Sequence, residues 1–335
     1  MIKRTIDISD GPNFLSIEDE QLVLSRNREE IARIPAEDIG VLLVDNVATT
    51  YTHAALTRLL SYGAVVVLCG TNHLPMGMLL SLEANELAAH RIRIEAAASL
   101  PLRKRLWKQI IAHKIRGQAM NLPVDSLIRS RLLGYAGRVR SADSANMEGV
   151  AARFYWPAMM GGNFRRDPEG LPPNNLLNYG YAVFRAALAR AIVAAGLHPA
   201  FGLHHHHRNN TFALADDLLE VFRPRVDRAV RRIMVAGGGF INRQTKQTLL
   251  GLLTDEVEVA GQKGPLFVQL HRVVTSLVRC YEGTARQLEL PSLSEAAGID
   301  SADQSLQPAP TDLMDENSAP GDGNPDDPRP DTVHE

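Results

Sequence analysis

Two periodicities divide the chain. Up to about residue 83, short stretches rich in β-branched and apolar residues (TIDIS, FLSIE, QLVLSR, IARIP, IGVLLVD) are broken by the polar punctuation SDGPN, EDE and NREE. Runs of that length, bounded by turn residues, read as strands. One segment starting at Thr52, THAALTRLLS, spaces its apolar positions for a helix instead; AVVVLCG then reads as a buried strand and MGMLLSL as a final one. From about Leu82 onward, apolar positions recur at helical spacing in long Ala/Leu/Arg-rich stretches separated by Pro, Gly or Asn. They predict helices over 83–98, 101–118, 124–138, 144–158, 174–195, 210–222, 225–236, 243–256 and 265–287. No segment repeats at solenoid spacing. The pattern defines an α+β protein: a small β-rich, sandwich-like domain over 1–83, a larger all-α domain over 84–288, and a tail over 289–335.

Composition sharpens this picture. The chain has 335 residues, 45% hydrophobic and 22% charged, which suits a soluble globular protein with a real core. The apolar runs GAVVVLCG and LLGLL are too short to span a bilayer, and MIKRTIDISDG lacks the apolar core of a signal peptide. Two cysteines, Cys69 and Cys280, allow neither a disulfide framework nor a CxxC metal motif. A cytoplasmic protein without a membrane partner is expected. The net charge of −2 hides a division: residues 291–335 hold eleven acidic residues, one basic residue (Arg329) and seven prolines. That tail reads as disordered. It leaves 35 basic against 27 acidic residues in the body, a net of +8 that points to a polyanionic partner.

The candidate chemistry centres on HPAFGLHHHHRNNTFALADDLLEVFRP, where four histidines, His204 to His207, precede an acidic run. On a helical wheel with Leu214 at zero, Leu218, Val221 and Phe222 form a stripe at about 40°, 340° and 80°. Asp217 and Glu220 flank it at about 300° and 240°, while Asp216, at about 200°, faces solvent. Two neighbouring carboxylates at a buried margin repel one another unless a cation intervenes. A solvated helix beside a His-rich loop is the plain alternative. A metal site needs a further oxygen ligand, and Glu83, Glu86, Glu95, Asp143, Glu148 and Glu169 are candidates. Glu148, in SANMEGVAARFYWPAM, has small residues beside it that permit close helix packing. A histidine-plus-carboxylate set suits Mg²⁺ or Mn²⁺.

Taken together, NMEGVAARFYW, NNLLNYGYAVFRAALARAIVAAGLHPAFGLHHHH and LADDLLEVFRPRVD resemble the CRISPR-associated integrase family, the larger subunit of the spacer-acquisition complex. The similarity covers residues 1 to about 288, and the helix LRKRLWKQIIAHKIRGQ looks like members from type II systems. The resemblance implies metal ligands and catalytic residues at Glu148, His205 and Glu220, with Asp217 as a supporting acid; His204 and His206 stand one step from His205. It implies an N-terminal domain that dimerises, a catalytic helical domain, and a small ferredoxin-like partner subunit bridging two dimers. The RNA-guided effector nuclease is a further implied partner. The expected reaction joins the 3′-hydroxyl of captured DNA to the CRISPR repeat, with Mg²⁺ or Mn²⁺ as cofactor. The rival is a stand-alone metal-dependent nuclease on branched or single-stranded nucleic acid in repair.

In that setting Arg103, Lys104, Arg105, Lys108, Lys114 and Arg116 become candidates for contacts with the DNA backbone, with Trp107 on the apolar side of their helix. Arg129, Arg131, Arg138, Arg140, Arg165 and Arg166 are further candidates. Tyr179 and Tyr181 are candidates for stacking on a splayed base, against core packing as the alternative.

Overall fold

A computed structural model of the chain describes residues 3–71, 73, 75–81, 85–167, 170–205 and 207–293. The domain boundary expected at residues 83 and 84 and the tail from residue 294 lie outside the described residues. The N-terminal region is built from β1 (Arg4–Ile8), β2 (Phe14–Glu18), β3 (Gln21–Arg26), β4 (Glu29–Pro35), β5 (Ile39–Val44), β6 (Thr50–Tyr51), helix α1 (His53–Ser61), β7 (Val65–Cys69) and β8 (Pro75–Leu79). Two four-stranded sheets result, in the orders β1-β5-β7-β8 and β4-β3-β2-β6. In the first sheet β1, β5 and β7 run parallel and β8 returns antiparallel; in the second, β2, β3 and β4 are antiparallel and β6 joins β2 in parallel.

Strand β5 shows why its sequence, IGVLLV, is apolar at every side-chain-bearing position. Alternate side chains of a strand point to opposite faces. Leu42 and Val44, with Val66 of β7, pack with Leu15, Leu22 and Ile34 of the second sheet and with Ala55 and Leu59 of α1. Val41 and Leu43, with Val65 and Val67, belong to the core of the helical region. The first sheet is therefore the shared wall of both cores. Gly40 permits a close approach at that wall: a Cβ there would sit 2.6 Å from the ring of Phe267.

The helical region comprises α2 (Ala88–Ala96), α3 (Leu100–Ala119), α4 (Leu127–Arg138), α5 (Met147–Met160), α6 (Asn174–Ala194), α7 (Ala213–Leu219), α8 (Arg223–Val235), α9 (Arg243–Gly251), strands β9 (Glu256–Val259) and β10 (Gln262–Pro265), and α10 (Leu266–Tyr281). Helix α6 is the central rod, buried at most positions from Leu176 to Ile192. No helix among the described residues is long and apolar enough to cross a membrane.

Three expectations shift. The helix expected over 243–256 ends at Gly251, and a hairpin follows, because EVEV alternates with period two and Ala260 and Gly261 take left-handed turn conformations (φ 51° and 75°). The helix expected over 225–236 begins earlier, at Arg223, and Pro224 lies in its first turn, where its missing N–H has no intrahelical partner to lose. The body also runs past residue 288: Pro291 bridges to Val259, and its carbonyl accepts from His113 Nε2 at 2.8 Å.

A buried ion pair joins the two regions. Lys246 of α9 donates to Asp45 after β5; the residues are 5% and 3% exposed. Removing one member leaves a charge buried without its main partner, which costs about 3–5 kcal/mol, whereas removing both charges costs much less. Lys246→Met is thus expected to lower the unfolding free energy by about that amount, and adding Asp45→Asn to restore much of it. Equal losses in the single and double variants, measured by chemical denaturation, would contradict this account of the interface.

Candidate metal centre and nucleic-acid interface

The segment DSANMEG folds into a designed helix start. Asn146 adopts a left-handed conformation (φ 49°) and its side-chain oxygen accepts from Gly149 N at 3.1 Å. Asp143 accepts from Met147 N and Glu148 N, both at 2.9 Å. Asp143, a candidate ligand by sequence, instead satisfies the orphan donors of α5. A Cβ on Gly149 would lie 2.7 Å from the Asn146 oxygen, which explains the glycine beside the glutamate. The outcome is a fixed first turn with Glu148 projecting from it, its side chain 31% exposed.

Glu148 points toward a lysine. Lys114 Nζ, on α3, contacts Glu148 Oε1 and lies 2.6 Å from Glu220 Oε2. Glu220 follows α7 as its C-cap and is 3% exposed; its other oxygen is 2.9 Å from Arg223 Nε. Burial alone would push the Glu220 carboxyl up, but Arg223 and Lys114 outweigh it and hold it below the usual value. Likewise burial disfavours the Lys114 ammonium, and Glu220 and Glu148 more than compensate. Lys114 therefore sits between two carboxylates and not on a DNA-facing surface, which corrects the expectation from its basic stretch. Of that stretch, Lys104, Arg105, Lys108 and Arg116 are exposed and Arg103 is half-buried.

The histidine loop is organised by Asp217, which is fully buried. Its carboxylate accepts from the backbone N–H of Leu203 (2.6 Å), His204 (2.9 Å) and His205 (3.3 Å), and from His205 Nδ1. A carboxylate can only accept, so Nδ1 carries the proton and Nε2 is left with the lone pair of the neutral ring. That bond raises the His205 pKa, with burial opposing it. Trp107, at the buried side of α3, stacks on His204 with centroids 4.4 Å apart and meets His205 edge-on at 5.6 Å. His206 lies outside the described residues, and His207 is exposed.

Next to His205 opens a cavity of about 350 Å³ lined by Arg166, Asn178, Tyr181, Arg185, Asp216 and Arg223, among others. Three guanidiniums and an imidazole among the lining residues, against one carboxylate, suit an anionic ligand. Asp216, expected to be solvated, pairs with Arg185 at 2.7 Å and accepts from Asn210 Nδ2 at 2.7 Å. Tyr179 and Tyr181 are corrected as well. They are 0% and 6% exposed, so neither ring can be reached by a base. Tyr181 and Tyr155 both donate to Asp227, whose carboxyl burial raises to about 6 against those hydrogen bonds. Tyr181 is also covered by Arg223 and Arg166, at 4.6 and 5.5 Å from its centroid. Arg129 is buried and donates to Leu122 O, while Arg131, Arg138, Arg140 and Arg165 remain exposed.

Among the other candidate ligands, Glu86 is exposed ahead of α2, Glu95 is buried and accepts from His198 N at 2.8 Å, and Glu83 and Glu169 lie outside the described residues. Arg223 and Asp227 escaped sequence reasoning; the i,i+3 spacing of Glu220 and Arg223 was the available signal. The residues present fit a hard divalent cation in one respect: two carboxylates converge on one cationic position, and Glu220 Oε2 is buried there without a hydrogen bond. Among the described residues, however, no three His, Cys, Asp or Glu side chains already close around one point.

The family model described as CRISPR associated protein Cas1 matches residues 8–250. The CRISPR-associated endonuclease Cas1 of Neisseria meningitidis serogroup C (strain 8013) is 33% identical over 298 residues, 88% of this chain and 97% of that protein. A casposase bound to integration product has a TM-score of 0.72 at 18% identity, covering 90% of this chain and 98% of that one. A chain of a Cas6-RT-Cas1–Cas2 complex gives 0.70 at 17%, covering 85% of this chain and 36% of that one. At such identities the structural likenesses show the fold.

Glu95 anchors the start of the histidine loop and supplies a pH test. Burial raises its carboxyl to about 8, opposed by the His198 N–H. As pH rises from the ordinary carboxylate range to that value, the unfolded chain releases this proton and the folded one keeps it. Stability is therefore lost across that window. Glu95→Gln can still accept from His198 N without ionising. Its unfolding free energy relative to wild type should increase from about pH 5 to about pH 8.5 by more than one pKa unit's worth, about 1.4 kcal/mol. Parallel pH profiles in chemical denaturation would refute the assignment.

Proposed function

The chain belongs to the Cas1 family of CRISPR-associated proteins, and on that premise we propose that it is a metal-dependent DNA integrase of CRISPR adaptation. It joins the 3′-hydroxyl ends of short captured DNA to the CRISPR repeat in the cytoplasm and retains endonuclease activity. One observation carries the reading: Glu148 and Glu220, from separate elements, meet at one cation position beside the cavity that His205, Arg166, Arg185 and Arg223 line. The endonuclease name of the Neisseria relative and the integration product held by the casposase support it.

Glu148, Glu220 and His205 Nε2 would hold Mg²⁺ or Mn²⁺. When bound, the ion supplies Lewis-acid polarisation of the phosphodiester and lowers the pKa of the attacking hydroxyl. Asp217 positions His205 by fixing its Nδ1 proton, so that Nε2 keeps its lone pair. Arg166, Arg185 and Arg223 bind the anionic backbone and balance the charge that grows on the phosphate oxygens. Lys104, Arg105, Lys108 and Arg116, on the exposed face of α3, extend that contact sequence-independently. In the reaction one O3′–P bond forms as another P–O3′ bond breaks, so the number of phosphodiesters is conserved and no covalent protein intermediate is required. The Cas2 in the complex that contains a Cas1-like chain supports a Cas2-type small subunit as partner here. A homodimer formed through the N-terminal domain, bridged by that subunit, would present two sites to the two ends of one fragment. The RNA-guided effector nuclease would help supply fragments.

The test is a strand-transfer assay with short duplexes bearing 3′-hydroxyls, a supercoiled plasmid carrying the repeat, the small subunit and Mg²⁺ or Mn²⁺. Glu148→Ala, His205→Ala and Glu220→Ala should each lower joining by about 10²-fold or more, and chelator should abolish it. Cleavage without joining would favour a repair nuclease, and full joining by His205→Ala would move the ligand along the loop.

A further inference from the structure

Lys114 is set apart from the basic residues around it. Lys104, Arg105, Lys108 and Arg116 of the same helix are exposed, whereas the Lys114 side chain is 10% exposed and directed inward to Glu148 and Glu220. The carboxylates belong to α5 and to the end of α7, which no local sequence constraint brings together. Without a cation between them, two carboxylates that share one ammonium would repel. Resting on the metal reading above, we propose that Lys114 is the resident cation of the Glu148–Glu220 pair, and that a divalent ion binds there only by displacing its ammonium.

Mg²⁺ binds carboxylate oxygens at about 2.0–2.1 Å. An ion bridging Glu148 Oε1 and Glu220 Oε2 from between them would meet the ammonium, since Nζ contacts the first and lies 2.6 Å from the second. A dication and an ammonium cannot share that position. The exchange is feasible on both sides. Arg223 holds the other oxygen of Glu220 at 2.9 Å, so that group stays paired as the lysine leaves. The Glu148 side chain is 31% exposed and gives the ion an approach from water. Lys114 thereby has two opposed effects: it keeps the ligands assembled before metal arrives, and it lowers the affinity with which they take the metal.

Mn²⁺ titration calorimetry on the full chain tests this without any DNA reaction. Lys114→Met is expected to bind Mn²⁺ at least about tenfold more tightly than wild type while melting at a lower temperature in chelator. Unchanged or weaker Mn²⁺ binding by that variant would overturn the proposal, because the lysine would then coexist with the ion. Glu148→Gln separates the two levels of inference. Its loss of Mn²⁺ binding is expected; equal binding by wild type, Lys114→Met and Glu148→Gln would remove the metal site itself, and this proposal with it. Should Lys114→Met fail to fold, the wild type suffices. The ¹⁵N-ammonium signal of buried Lys114 should move to the position of exposed lysines on saturation with Mg²⁺, and a signal unmoved by Mg²⁺ would refute displacement.

Discussion

Three carboxylates are buried within eleven residues of one another along the chain: Asp217 at 0%, Glu220 at 3% and Asp227 at 1% exposure. Removing such groups from water costs several kcal/mol each unless charge and hydrogen bonds are returned. Each is compensated differently. Asp217 receives three backbone N–H groups and an imidazole, Glu220 faces a lysine and an arginine, and Asp227 has two tyrosine hydroxyls. Neutral hydroxyls compensate Asp227, and burial lifts its carboxyl to about 6. Helices α3, α5 and α6 must therefore deliver Lys114, Tyr155 and Tyr181 to fixed points around α7 and α8. The helical arrangement is the solution to that requirement.

The same arrangement explains why one helix carries two kinds of cation. Lys104, Arg105, Lys108 and Arg116 lie on the exposed face of α3, and Lys114 and Trp107 on the buried one. The buried face holds the acid pair and the histidine loop together; the exposed face extends the positive surface. Arg223 links the two roles, since it pairs with Glu220, covers Tyr181 and lines the cavity beside His205.

Much of this was legible in the sequence because it is written in local patterns. The strand–helix division, the long helices and the apolar strand IGVLLV follow from periodicity. Side-chain destinations were not legible where burial decides them. Lys114 has the same sequence context as its exposed neighbours, and only the folded chain shows it turned to Glu148 and Glu220. Tyr179 and Tyr181 read as possible base platforms at the head of α6, yet that helix is enclosed over most of its surface. Asp143 and Asp216 resemble candidate ligands or solvated acids, but a helix start and Arg185 engage them. Asp227 left no signal, because its tyrosine partners lie 72 and 46 residues away.

The most direct measurement is a manganese anomalous difference map from crystals of the protein with Mn²⁺ and a short duplex. The account predicts one strong peak about 2.1 Å from Glu148 and Glu220 oxygens and His205 Nε2, with the Lys114 side chain moved aside. A peak coordinated elsewhere, or Lys114 still seated between the two carboxylates with none beside it, would contradict it.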